Sequence, residues 1–119
     1  MVRESYEGLV AWQRAVDLVV RIYRLTRDWP KEEQYGLTSQ IRRAAASIPA
    51  NIAEGQGRNS PKEFIHFLGI ANGSMREVET FLTSAFRLQF FDQTTFEEVM
   101  NQATEVGKPL RGLIRRLRE

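Results

Sequence analysis

Apolar residues recur along this chain at spacings of three and four, and no segment alternates apolar and polar residues in the way of a strand. That period places the apolar positions on one side of a helix. Glycine and proline divide the pattern into four such segments. The first predicts a helix over about 9–27, with Leu9, Trp12, Val16, Val19 and Tyr23 on one stripe and Ala11, Ala15, Leu18, Ile22 and Leu25 on the next. Only a narrow polar stripe of Arg14, Asp17, Arg21 and Arg24 remains. So wide an apolar perimeter predicts heavy burial against more than one neighbour. The stretch 28–36, with Pro30 and Gly36, reads as an ordered crossover with room for a short helical turn.

The second helix is predicted from 37 or 38 to about 55, with Leu37, Ile41, Ala44, Ala45, Ile48 and Ile52 inward. Gly55-Gln56-Gly57 suits a left-handed helix end, and Pro49 predicts a kink or local unwinding around Ser47. Ser60, Pro61 and Glu63 form a start signal for the third helix, which is expected to reach about 88. Phe64, Leu68, Ala71, Met75, Val78, Leu82 and Ala85 mark its inner seam. Gly69 and Gly73 lie one turn apart, each costing about 1 kcal/mol of helix propensity against alanine, which predicts a helix crossing closely there. The fourth helix is expected to start at a capping box, Thr95 with Glu98 or Thr94 with Glu97, and carries Phe96, Val99, Ala103, Val106, Leu110, Leu113 and Leu117 inward. Pro109 predicts a bend, with a break at Lys108 as the alternative. Four helices with short links predict a single all-α domain over 1–119, an antiparallel up-down-up-down four-helix bundle.

Composition narrows the chemistry. The 119 residues fit one domain, and with no cysteine there is no disulfide, thiol nucleophile or thiolate metal site. No apolar run approaches the roughly 20 residues needed to span a bilayer, and the first residues lack a signal peptide's apolar core. A cytoplasmic protein without membrane partners is expected. Glu63 and His66 match half of a di-iron site, but that site needs a second histidine and His66 is the only one. Glu54, Glu77 and Glu79 are more simply ion-pair members than paired catalytic acids. The run 55–60 lacks the Lys-Ser/Thr ending and preceding strand of a phosphate-binding loop. No catalytic residue, metal or cofactor is expected, and the chain reads as non-enzymatic.

The net charge is only +2, so the distribution of charge matters more than its sum. Fourteen arginines stand against three lysines, and the guanidinium fork grips phosphate oxygens in pairs. Arg14, Arg21, Arg24, Arg42, Arg43 and Arg58 are the first candidates for a nucleic-acid surface, and the tail from Arg111 through Arg115 to Arg118 is the second. Residues 92–107 carry four acids and no base, whereas 108–119 carry five bases and one acid, a polarity that also complements the helix dipole. Trp12, Trp29, Tyr23, Tyr35, Phe81, Phe86, Phe90 and Phe91 are more than a small core hides, which predicts a homo-oligomer.

The string Ser47-Ile48-Pro49-Ala50-Asn51-Ile52-Ala53-Glu54-Gly55, flanked by 37–44 and Arg58, resembles the four-helix-bundle proteins encoded in intervening sequences of bacterial 23S ribosomal RNA genes. Their superfamily includes the accessory variability protein of diversity-generating retroelements. Matches at the Trp12 opening, Phe64 to Leu68, Glu77, Glu79 and Gly107 through Leu113 extend the resemblance over nearly the whole chain. The resemblance implies a ring-shaped homo-oligomer, a pentamer, with a basic surface for RNA or DNA. A scaffold docking a protein such as a reverse transcriptase is the alternative. It brings no catalytic residues, and Asn51 and Glu54 are expected to make interhelical hydrogen bonds.

Overall fold

The computed structural model describes residues 5–119 and, among them, four α-helices and no strand. They are α1 (Val10–Thr26), α2 (Leu37–Gln56), α3 (Pro61–Arg87) and α4 (Gln93–Arg118), with single 3-10 turns at Tyr6–Gly8 and Lys31–Glu33. The turn at Lys31–Glu33 lies in the expected crossover.

Each helix touches its two neighbours in chain order around a square, and the diagonals do not meet. The contacts run antiparallel. Arg14 meets Glu105 while Arg21 meets Glu98, and Gly55 meets Phe64 and Phe67 while Ser47 meets Ser74. The result is an elongated bundle of 49 × 25 × 21 Å. Its core is the set the spacing picks out: Ala15, Leu18 and Ile22 of α1, Ile41, Ile48 and Ile52 of α2, Leu68, Met75 and Leu82 of α3, and Val99, Val106 and Leu110 of α4 are all sealed. On α1 only the stripe from Ala11 to Thr26 is sealed, while Val10, Val20 and Tyr23 stay exposed.

The local devices differ from expectation in several places. Gly57 keeps right-handed dihedrals, and Gly55 serves packing: a Cβ there would stand 2.8 Å from that of Phe67. The close helix approach is therefore here. Gly69 and Gly73 have nothing within 4 Å of where a side chain would begin, so no helix crosses them. The left-handed residue is Gln89, with φ 66°, which closes α3 as Phe90 N–H donates to Ala85 O (3.0 Å) and Gln89 N–H to Phe86 O (2.9 Å).

Ser60 caps α3 by accepting from Glu63 N, as its spacing indicates. The cap of α4 is Asp92, accepting from Thr95 N at 2.8 Å, and the helix starts ahead of both expected boxes. Asp92 wins because an ionised carboxylate at a helix N-terminus gains from the dipole as well as the bond. Hydrogen bonds from Thr95, side chain first and backbone second, hold its carboxyl below the ordinary range.

Both internal prolines sit in unbroken helices. Beside Pro49, the Asn51 side-chain amide donates to the carbonyl and hydroxyl of Ser47, each at 2.8 Å, and Ser47 meets Ser74 of α3 at 2.9 Å. The interhelical bond thus belongs to Ser47; Asn51 acts within its own helix, and Glu54 pairs with Arg58.

Aromatic rings close one end of the bundle. Trp29, 5% exposed, stacks on Phe91 (6.0 Å, 3°) and tilts against Phe90, while Phe86 stacks on Phe96 at 4.4 Å. Half of the apparent aromatic surplus is absorbed here, and Trp12 and Phe81 are partly buried against the core elsewhere. Tyr23 and Tyr35, the latter 90% exposed, are the members left outside.

Candidate nucleic-acid interface

The fold sorts the arginines by whether another group already holds them. Arg14 donates to the carbonyl of Glu105 at 3.0 Å and faces its carboxylate at 3.6 Å. That carbonyl is the one Pro109 cannot serve, because a helical carbonyl takes its donor from four residues on. Arg21 meets Glu98 at 3.4 Å, tying α1 to α4 a second time. Arg42 Nε donates to Thr26 Oγ1 at 2.8 Å, and its guanidinium lies 4.7 Å above the Tyr23 ring. Arg58 pairs with Glu54 at 3.0 Å and lies over Phe67. Four of the six first-ranked candidates are thus engaged in holding helices or their ends.

Arg24 and Arg43 stay outside these ties, but on different faces. Arg24 is exposed on α1, and Arg43 shares a shallow cleft of about 240 Å³ between α2 and α3 with Glu77, beyond ion-pair distance of it. The structure does not gather them with the others.

The tail behaves differently. Arg111 and Arg115 come together with Arg118, at positions i, i+4 and i+7, along one wall of a furrow of about 470 Å³ between α4 and α3. Gly69 and Asn72 of α3 form the rest of the lining with Ile114. Among the described residues no carboxylate lies within ion-pair distance of Arg111, Arg115, Arg116 or Arg118. Within α4 the acids lie toward the aromatic end, and from Lys108 onward every charged residue is a base until Glu119. The second-ranked segment is thus the one left without ion-pair partners among the described residues.

Arg118 belongs to the tail that the sequence already singles out, whereas one other member of the furrow had no sequence signal. That member is Asn72, whose interest lies in burial: its Oδ1 is sealed from solvent with no donor among the described residues.

The other candidates do not converge on a catalytic site. His66 is exposed, edge-on to Phe67 at 5.3 Å. Glu79 pairs with Arg76 and Glu54 with Arg58, while Glu77 is exposed. Among the described residues no group of three or more His, Asp or Glu could hold a metal ion. No helix among them is long and apolar enough to cross a membrane.

The chain is similar to a solved crystal structure, a protein of unknown function from the S23 ribosomal protein family of Bacteroides thetaiotaomicron. The TM-score is 0.82 at 30% identity over 89% of this chain and 96% of that one. None of the curated proteins matches. Residues 7–112 match the family described as 23S rRNA-intervening sequence protein, so Arg115, Arg116 and Arg118 lie past the matched segment. Spanning the bundle from the first turn into the last helix, that match makes the chain a member of the 23S rRNA-intervening sequence protein family.

Proposed function

We propose that this chain is a non-enzymatic, self-assembling protein that binds RNA or DNA through the arginines at the C-terminal end of α4. The observation that carries the reading is the file of Arg111, Arg115 and Arg118 along the α3/α4 furrow without a carboxylate partner among the described residues. An uncompensated row of guanidinium groups is suited to phosphate oxygens, and contacts of that kind fix position on a strand without reading its sequence. Self-assembly is supported by Val20, Tyr23 and Tyr35, which the monomer leaves exposed. A ring, pentameric as the resemblance implies, would repeat the file around its axis, and the repeated sites would act together.

Light scattering of the purified chain, followed by anisotropy with fluorescent single-stranded RNA and DNA, tests both halves. The expected result is an oligomer whose affinity falls about tenfold to twentyfold per engaged protomer between about 50 and 200 mM salt. A monomer with no nucleic-acid affinity at low salt refutes the proposal. Capture of a protein partner that survives nuclease treatment, with no direct RNA or DNA binding, favours the docking scaffold instead.

A further inference from the structure

Three local penalties meet in the furrow between α3 and α4. Gly69 lies exposed in the interior of a 27-residue helix, with open space where a side chain would stand, so alanine would serve the fold better. Asn72 buries an amide oxygen without a donor, which costs stability that an apolar residue would not. Arg111, Arg115 and Arg118 bring three like charges into file with no counter-charge among the described residues. Where a sequence breaks several local rules in one place without a structural return, function is the expected reason.

Building on the nucleic-acid reading above, we propose that this furrow holds a single strand of RNA. Its phosphates lie on the three guanidinium groups, its backbone runs against the Gly69 floor, and a ribose 2′-hydroxyl accepts from the Asn72 side-chain amide.

The geometry favours one strand over two. At the rise of an α-helix, the three arginines stand about 6 Å and about 4.5 Å apart along α4, a single file of charge. Packed helices lie about 8–10 Å apart, so the furrow between them admits one sugar-phosphate backbone, whereas a duplex can only straddle it. No aromatic ring lines it, so the bases are left unread and binding tolerates sequence. Gly69 leaves the backbone's path clear, and any longer side chain there projects into it. With Oδ1 sealed, the NH2 of the Asn72 amide is the group left to face the strand. That contact distinguishes RNA from DNA, because the 2′-hydroxyl is the group DNA lacks.

The test uses the full chain, a short fluorescent oligouridylate and its deoxy counterpart. Gly69→Leu and Asn72→Leu are both expected to melt at or above the wild-type temperature, since each removes a local penalty. Gly69→Leu should weaken RNA binding at least about tenfold by occupying the strand's path. Asn72→Leu should erase the preference for RNA over DNA. If both variants bind RNA as tightly and as selectively as wild type, while Arg111→Gln/Arg115→Gln/Arg118→Gln loses binding, the furrow proposal is overturned and the general reading stands. Failure of the wild type to bind either strand at low salt overturns the reading beneath it.

Discussion

The guanidinium of Arg14 donates to the carbonyl oxygen of Glu105 at 3.0 Å, replacing the helical donor that Pro109 lacks. A proline that would otherwise leave an unserved carbonyl in α4 is thereby tied to α1, and the tie explains why α4 runs through Pro109 unbroken. It also leaves Arg14 engaged with α4.

This pairing predicts a specific non-additivity. Arg14→Met should destabilise the protein by about 0.5–1 kcal/mol, below the range of about 1.5–3 kcal/mol for a bond to a charged group because the site is exposed. In a Pro109→Ala background the restored backbone N–H serves the same carbonyl, and the cost of Arg14→Met should shrink toward zero. A double-mutant cycle by urea denaturation measures the coupling. Equal costs in both backgrounds would show that Arg14 acts only through the Glu105 carboxylate.

At the end of α3, Gln89 holds a left-handed conformation that an L side chain adopts at a cost of about 1–2 kcal/mol. Gln89→Gly keeps both closing hydrogen bonds and relieves that strain, less the greater freedom glycine has in the unfolded chain. A gain of about 0.5–1 kcal/mol in thermal or urea unfolding is expected, and a loss would mean that the glutamine side chain has a contact of its own.

The cap at Asp92 makes α4 sensitive to acid. Its folded pKa is depressed, so its stabilising share is complete above the ordinary aspartate value of about 3.9 and disappears as pH falls through the lower folded value. An Asp92→Asn variant retains a side-chain oxygen that caps equally well without titrating. Melting temperatures taken between neutral pH and pH about 3 should therefore fall more for wild type than for Asp92→Asn. Identical pH profiles would contradict the role given to this carboxylate.

Trp29 anchors the aromatic end, and its truncation to alanine should cost about 3–5 kcal/mol, as for other large buried rings. Trp29→Phe should cost well under half of that. It keeps a ring against Phe90 and Phe91 and removes an indole N–H that has no acceptor among the described residues. Denaturation midpoints of the two variants decide this, and a phenylalanine as costly as alanine would show that the indole nitrogen matters.

The helical periodicities were legible because burial on one face imposes them directly: Leu68, Met75, Val78 and Leu82 follow from spacing alone. Ser60 was legible for a similar reason, since cap and donor lie three residues apart. Asp92 was hidden by Thr94 and Thr95, whose own spacing to glutamates satisfies the same rule in a later register. Gln89 was hidden because glutamine is not a residue that announces a left-handed turn. The arginines could not be ranked from sequence, because Arg14 and Arg21 are neutralised by residues 91 and 77 positions away, a matter of helix register. Gly69 and Gly73 were legible as anomalies, but spacing cannot say whether such a gap is filled by a helix or left open.

On the proposed reading, the α4 file, and not the arginines of α1 and α2, meets the phosphates. The most direct test is the slope of log affinity for single-stranded RNA against log salt, measured for wild type, for Arg111→Gln/Arg115→Gln/Arg118→Gln and for Arg14→Gln/Arg21→Gln/Arg58→Gln. The α4 variant should lose about 2 units of slope per protomer, three phosphates at about 0.7 each, while the other keeps the wild-type slope. An unchanged slope in the α4 variant, or an equal loss in the other, would contradict this reading.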